Sequence, residues 1–181
     1  MEDRRMDMHT RNNGRLIYLC GVIDEQTSME INCEMMRLQR EDPLEDITLL
    51  IDSYGGDMFA AFSIVDMMEL ITCDIRTICI GKAMSAGQFL FSSGAKGKRF
   101  MTKHARLMIH NPIAGFEGSV PDIQIELDEI QRCRELFLTQ IAKNSNLDKD
   151  SVKNLIERTA YLDSDQSIEM GFADGVINKI K

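Results

Sequence analysis

Short apolar runs alternate with segments of helical spacing along this chain, and this alternation restricts the possible folds more than any other feature of the sequence. Buried strands are predicted for three of these runs, at residues 16–23, 47–51 and 75–80. Between the runs, apolar residues recur at helical intervals, as Met29, Cys33 and Met36 do. Strands that alternate with helices in this way build stacked β–α crossovers, so the sequence predicts an α/β fold.

Local signals predict where several elements begin and end. Thr27 or Ser28 is expected to cap the first helix, and the proline that follows Asp42 is expected to end it. Pro121 is expected at the first position of a long helix with an apolar stripe. Other segments are predicted as a turn at 53–56, short strands at 99–101 and 107–109, a helix over 148–158 and a final strand over 174–180.

The composition excludes several functional classes. With 181 residues, of which 44% are hydrophobic and 28% charged, the chain has the profile of one globular domain. A net charge of −8 disfavours binding to nucleic acid or to an anionic membrane, because both require a basic surface. No run approaches the ~20 apolar residues of a transmembrane helix, and the polar N-terminus does not resemble a secretory signal.

The cysteines indicate a reducing, cytoplasmic environment. There are five, no C-x-x-C pair occurs, and Cys20, Cys73 and Cys79 lie within apolar runs, where small buried thiols are common. The three histidines lie at no zinc-ligand spacing from a cysteine pair, so no metal site is expected.

Ser85 lies in the segment AMSAG, where a predicted strand passes into a predicted helix. A nucleophilic serine needs a sharp turn with small neighbours, and the N–H of the next residue, Ala86, can then donate to a developing oxyanion. Small residues also serve ordinary helix packing, so the motif alone leaves both interpretations open.

His110 follows a predicted strand and precedes Asn111 and Pro112, a position from which a histidine can reach into a cleft as a general base. A structural histidine fits the same pattern. No acidic residue lies between Ser85 and His110, so a carboxylate that orients the imidazole has to come from elsewhere in the chain. His9 and His104 lie in polar surroundings and are expected to be solvated.

Two adjacent glycines, Gly55 and Gly56, follow the second buried strand in the motif DSYGG. Paired glycines at such a place free a backbone N–H to face a ligand, although an ordinary tight turn has the same composition.

In order and spacing, these motifs resemble the proteolytic subunit of the Clp protease family. The resemblance extends from about Leu16 to Ile180. It is most specific in GKAMSAGQFLFSSGAKGKRF, at 81–100, and in RLMIHNP, at 106–112. The motif DSYGG, the segment PDIQIELDEI and the closing MGFADGVI also agree.

The resemblance implies an α/β single domain, a ββα superhelix shared in outline with the crotonases, with a projecting handle helix. It also implies a serine endopeptidase whose homo-oligomeric rings of seven stack in pairs, as a tetradecamer around a closed chamber. Unfolded polypeptides would be delivered by an AAA+ unfoldase that uses ATP, so the subunit itself is expected to need no cofactor. Residues 1–15 would form a short N-terminal segment and residues 16–181 the peptidase domain, with the handle at about 112–143.

By position, the resemblance assigns Ser85 as the nucleophile and His110 as the general base. It assigns the N–H groups of Gly56 and Ala86 to the oxyanion hole.

The third triad position departs from the family pattern. Glu157 and Arg158 match an acidic–arginine pair that contacts the opposite ring in the family, but the aspartate expected next is replaced by Thr159. A hydroxyl can accept the imidazole N–H but carries no charge to stabilise an imidazolium. Asp163 or Asp165 is an alternative, and weak or conditional peptidase activity is expected.

Two further departures concern the entrance and the glycine turn. Only 15 residues precede Leu16, where family members carry a longer segment, so an altered entrance and ATPase contact are expected. Tyr54 replaces a proline and Asp52 an asparagine beside Gly56, so the geometry of the turn is expected to differ.

Two other functions compete with the peptidase. A non-catalytic ring subunit beside an active paralogue is favoured by Thr159, whereas the presence of Ser85 and His110 opposes it. A crotonase-like acyl-CoA enzyme would use the glycine turn but not Ser85.

Overall fold

Strands and helices alternate along residues 14–180, the part of the chain that the computed structural model describes. The strands are β1 (Leu16–Ile23), β2 (Ile47–Gly56), β3 (Ile75–Met84), β4 (Arg99–Met101), β5 (Arg106–Ile109), β6 (Ala160–Leu162) and β7 (Gly175–Val176). The helices are α1 (Glu25–Glu41), α2 (Met58–Leu70), α3 (Ala86–Ser92), α4 (Val120–Lys143), α5 (Lys149–Leu155) and α6 (Ser164–Glu169). His9 and most of the proposed N-terminal segment lie outside the described residues.

The strands form one mixed sheet, and the predicted α/β fold is confirmed. Its main path runs β1-β2-β3-β4-β7, and all of these neighbours are parallel. β5 pairs in parallel with the end of β3, and β6 pairs antiparallel with β5. Parallel neighbours need crossover connections, which α1 and α2 supply between the first three strands.

The core lies between the sheet and the helices packed against it. In β2, Ile47, Leu49 and Ile51 are fully buried, and α1 contributes Ile31 and Met35 to the same cluster. Each such side chain stabilises the fold by about 1.5–3 kcal/mol through removal of apolar surface from water.

Capping interactions define both ends of α1, and only its beginning differs from the sequence prediction. Asp24 caps the helix, since its carboxylate accepts the N–H of Thr27 at 2.8 Å, and the prediction of Thr27 or Ser28 as the cap was wrong. Asp24 precedes the helix with an extended backbone, which the cap position requires. The predicted end is confirmed, because Asp42, which precedes Pro43, is the C-cap.

Some segments differ from their predicted boundaries. Residues 53–56 continue β2 instead of forming an isolated turn, and the final strand is reduced to Gly175–Val176. The helix predicted over 148–158 spans only Lys149–Leu155. β6 and α6 were not predicted, because three-residue strands and six-residue helices are too short to show periodicity.

The long helix α4 has an exposed first half and a buried second half. Phe137, Leu138 and Ile141 are buried in its second half, whereas Leu127 is exposed. The predicted apolar stripe is therefore fully buried only in the second half of the helix. Pro121 occupies the second helical position, because Ser119 is the N-cap.

An ion pair between the buried Arg99 and the more exposed Asp174 ties the C-terminal region to β4. The guanidinium of Arg99, which is 4% exposed, donates from Nε and Nη2 to the carboxylate of Asp174 at 2.9 and 2.7 Å. Burial alone would raise the pKa of Asp174, but the hydrogen bonds and charge of Arg99 outweigh it and hold this pKa below its ordinary value. None of the helices in residues 14–180 is both long enough and apolar enough to cross a lipid bilayer.

Candidate active site

Ser85 lies on a strained elbow between β3 and α3. Its backbone angles are φ +52° and ψ −121°, and it is the one non-glycine residue among 14–180 with a positive φ. Such a conformation costs about 1–3 kcal/mol and persists only where surrounding contacts impose it. Those contacts are backbone hydrogen bonds: Ser85 N–H donates to the carbonyl of Met108 at 2.8 Å, and its carbonyl accepts the N–H of Phe89 at 3.1 Å.

The glycine motif packs directly against this elbow. Gly55 has φ +96°, and a Cβ there would lie 2.5 Å from the carbonyl oxygen of Met84 and 2.9 Å from the Cβ of Ser85. At Gly56, a Cβ would lie 2.1 Å from the carbonyl oxygen of Ile23. The two glycines are therefore required by close approach of backbone to backbone.

His110 meets Ser85 because the two residues follow neighbouring strands. Ala83 pairs with Leu107 in the parallel β3–β5 register, so the elbow and the end of β5 lie side by side. His110 Nε2 is 2.9 Å from Ser85 Oγ, and a ring protonated at Nδ1 can accept the serine proton. The structure thus brings together the two residues that the sequence paired.

A cavity of about 320 Å³ opens at this pair. Gly56 and Ala86 line it together with Ser85 and His110. Ala86 is the first residue of α3, and its N–H has no intrahelical partner. Most of the remaining wall is apolar and comes from α2, α3 and α4: Met58, Phe59, Ala61, Phe89, Ile130 and Phe137. Sequence reasoning missed this wall, because its residues come from three helices.

No carboxylate of the described residues contacts the imidazole. Within residues 14–180, Ser85 is the one hydrogen-bond partner of the His110 ring. Thr159 is exposed and directly precedes β6, whose first residue, Ala160, pairs with Ile109 of β5. Thr159 therefore lies beside His110, which directly follows Ile109. Asp163 is engaged elsewhere: it caps α6, and its carboxylate accepts the N–H of Gln166 at 3.0 Å. Asp165 is exposed in the first turn of α6.

Asn111 connects the histidine's strand end to two helices. Its Oδ1 accepts the Nε–H of Arg134 in α4 at 2.9 Å, and its Nδ2 donates to the carbonyl of Ile156 at 2.9 Å. Ile156 is the C-cap of α5 and directly precedes Glu157. The sequence offered no signal for this link beyond the position of Asn111 after His110.

The other candidate residues lie outside the cavity. His104 is exposed on the turn between β4 and β5. Glu157 and Arg158 are exposed between α5 and β6, and their contact with an opposite ring stays a prediction. Residues 14–180 contain no group of three His, Cys, Asp or Glu side chains placed to hold a metal ion.

Comparison with protein families gives a match over nearly the whole chain. The family described as Clp protease matches residues 2–180 of the 181. The match covers every element that builds the cavity.

Proposed function

Because the chain belongs to the Clp protease family, we propose that it is a serine endopeptidase of a ring-shaped, self-compartmentalised protease, with Ser85 as nucleophile and His110 as general base. The observation that carries the proposal is the 2.9 Å distance from Ser85 Oγ to His110 Nε2 at a strained elbow. Neither strain nor proximity is needed for packing, whereas both are needed for an activated serine.

In the proposed reaction, His110 accepts the proton of Ser85 as Oγ attacks the scissile carbonyl. The N–H groups of Gly56 and Ala86 donate to the oxygen of the tetrahedral intermediate, and His110 then protonates the leaving amine. Water, deprotonated by His110, hydrolyses the acyl-enzyme. The apolar wall formed by residues such as Phe59, Phe89 and Phe137 would receive an apolar side chain next to the cleaved bond.

The assembly in the proposal follows from the family. Two rings of seven copies would enclose the site, and an AAA+ unfoldase would supply unfolded chains, with ATP used only by that partner. Confinement makes weakly selective cleavage safe among folded proteins. A cytoplasmic location suits the five thiols, all of which are free.

A fluorophosphonate probe tests this proposal. We expect labelling at Ser85 of the full-length protein, loss of labelling in S85A, and strong reduction in H110A. Hydrolysis of a peptide with an apolar residue before the cleaved bond should depend on the same two residues. Labelling at a different residue, or activity that survives S85A, would contradict the proposal.

A second function is favoured by one observation: Ser85 is the sole hydrogen-bond partner of the His110 ring within residues 14–180. With Thr159 in the third position, the chain would be a weakly active or non-catalytic ring subunit beside an active paralogue. Native mass spectrometry of mixed rings, combined with probe labelling of each chain, separates the two. Labelling confined to the paralogue selects the structural role.

A further inference from the structure

The first three strands, β1, β2 and β3, change their pairing register at a single residue, Asp52. Between β2 and β3 the register is continuous up to the pair Ile51–Cys79 and resumes at Ser53–Ala83. One residue of β2 therefore opposes three of β3, which is a β-bulge. The pairing of β1 with β2 also shifts, just after the pair Cys20–Asp52.

β3 changes its neighbour at the same place. Before the bulge, Thr77–Cys79 pairs with β4, and after it Lys82–Met84 pairs with β5. The part of β3 beyond the bulge leads directly into Ser85, and β5 leads into His110. The site is therefore carried by a section of sheet that joins the main sheet at this junction, and bulges commonly re-aim side chains in this way.

Three side chains span the junction, and we call Asp52, Lys82 and Tyr54 the clasp. Lys82 Nζ lies 2.6 Å from Asp52 Oδ1, with the two side chains only 24% and 27% exposed. The same ammonium lies 4.4 Å from the centre of the Tyr54 ring, within the range of a cation–π interaction. At the bulge, Gly81 has φ +60°, and a Cβ there would lie 3.0 Å from Asp52 Oδ1.

We propose that the clasp positions the nucleophile elbow relative to the Gly55–Gly56 turn. The proposal rests on the proposed function, because positioning matters only if Ser85 reacts. Asp52 and Tyr54 lie on the strand that supplies Gly56, and Lys82 lies on the strand that supplies Ser85 and Ala86. No residue of the clasp lines the cavity. The clasp residues are therefore positioning residues, and their effect on rate comes through alignment of the hydroxyl and the two N–H groups.

The chain offers a matched control for this ion pair. Lys98, which directly precedes β4, has its Nζ 2.8 Å from Asp46 and 2.9 Å from Asp74, the residues directly before β2 and β3. The three side chains are 34%, 40% and 58% exposed. K98Q therefore removes a lysine and its two ion pairs at the beginning of the strands, whereas Ser85 follows the end of β3. K82R keeps the charge and can still contact both Asp52 and the Tyr54 ring.

The test compares K82Q, K82R and K98Q in the full-length protein, using peptide kcat and KM, fluorophosphonate labelling and thermal unfolding. We expect K82Q to lower kcat and the labelling rate about tenfold, with KM within about twofold, because small misalignments lower rate more than binding. K82R should recover most of the loss, and K98Q should match wild type. Equal rates in K82Q and wild type, or equal losses in K82Q and K98Q, would overturn the proposal. If K82Q does not fold because Asp52 keeps an unpaired charge, the same measurements are made on D52N/K82Q, in which both charges are removed.

Amide hydrogen exchange separates the clasp from the proposed function. Faster exchange in residues 53–57 and 82–87 of K82Q, absent in K98Q, is expected whether or not the protein cleaves peptides. Unchanged exchange would overturn the clasp even if wild type is labelled at Ser85. If the wild-type protein is never labelled by the probe but K82Q still shows faster exchange, the proposed function is contradicted. The clasp is then still the element that orders the elbow.

Discussion

Ile109 and Ala160 are the last residues paired between β5 and β6, and each directly adjoins a candidate catalytic position. His110 follows the first, and Thr159 precedes the second. The antiparallel pairing thus brings the imidazole and the third triad position to the same end of two neighbouring strands.

This relationship predicts that T159D activates the protein. In a Ser-His-Asp protease, replacement of the aspartate by asparagine lowers kcat about 10⁴-fold, so a carboxylate here should raise kcat by at least about tenfold. Steady-state peptide hydrolysis measures the change, and T159N is the uncharged control of similar size. If T159D is no faster than wild type, the weak-triad interpretation is wrong.

G55A is expected to destabilise the protein and abolish probe labelling of Ser85. Alanine would be strained at φ +96°, and its Cβ would overlap backbone at 2.5 Å. G97A is the matched control: Gly97 has φ +85° but nothing within 4 Å of a Cβ, so only the strain of about 1–2 kcal/mol applies. The free energy of unfolding, measured with denaturant, and the extent of probe labelling at Ser85 are compared between G55A and G97A. Equal losses in the two would show that the contact with the elbow is unimportant.

Q88M is expected to stabilise the fold. Gln88 is fully buried in α3, and neither its Oε1 nor its Nε2 has a hydrogen-bond partner among residues 14–180. Methionine has similar length without the polar atoms, and removal of an unsatisfied buried amide gains about 1–3 kcal/mol. Denaturant unfolding measures the gain, with Q131M on the exposed face of α4 as the control. A loss of stability in Q88M alone would mean that the amide is satisfied by bound water.

The Arg99–Asp174 pair predicts a pH dependence of stability. The pKa of Asp174 is lowered from its ordinary value of 3.8, so the folded state binds fewer protons than the unfolded state in the acid range. Its stabilising contribution is present above that ordinary value and is lost as the pH falls through the lower folded-state pKa. D174N should cost about 3 kcal/mol at neutral pH, because it leaves the buried Arg99 charge without its partner. Unfolding free energies at pH 7 and pH 3 check this: the cost of D174N should shrink at the lower pH, and an equal cost at both would contradict it.

Much of the sheet could be predicted from local patterns, whereas the pairing of Ser85 with His110 was implied only by the family resemblance. The run at 16–23 forms β1 over the same residues, and Ser85 and His110 lie where their flanking strands predicted. The cap at Asp24 could not be predicted with the same certainty, because Asp24, Thr27 and Ser28 all have side chains suited to capping. The short elements β6 and α6 carry no periodicity, so β6 depends on its pairing with β5, and α6 on its cap at Asp163 and its packing against β6 and β7.

The sequence by itself determined which residue types are available to the site: a serine with small neighbours, a histidine after a strand, two glycines, and a threonine where the family resemblance implies a carboxylate. These are chemical identities, and they follow from the order of residues alone. Only the tertiary structure decided distances and registers, including the 2.9 Å contact between Ser85 and His110, the bulge opposite Asp52 and the engagement of Asp163 in its own helix cap. The physical reason is that pairing between strands and packing between helices join residues far apart in the chain, and no local pattern records which of them will touch.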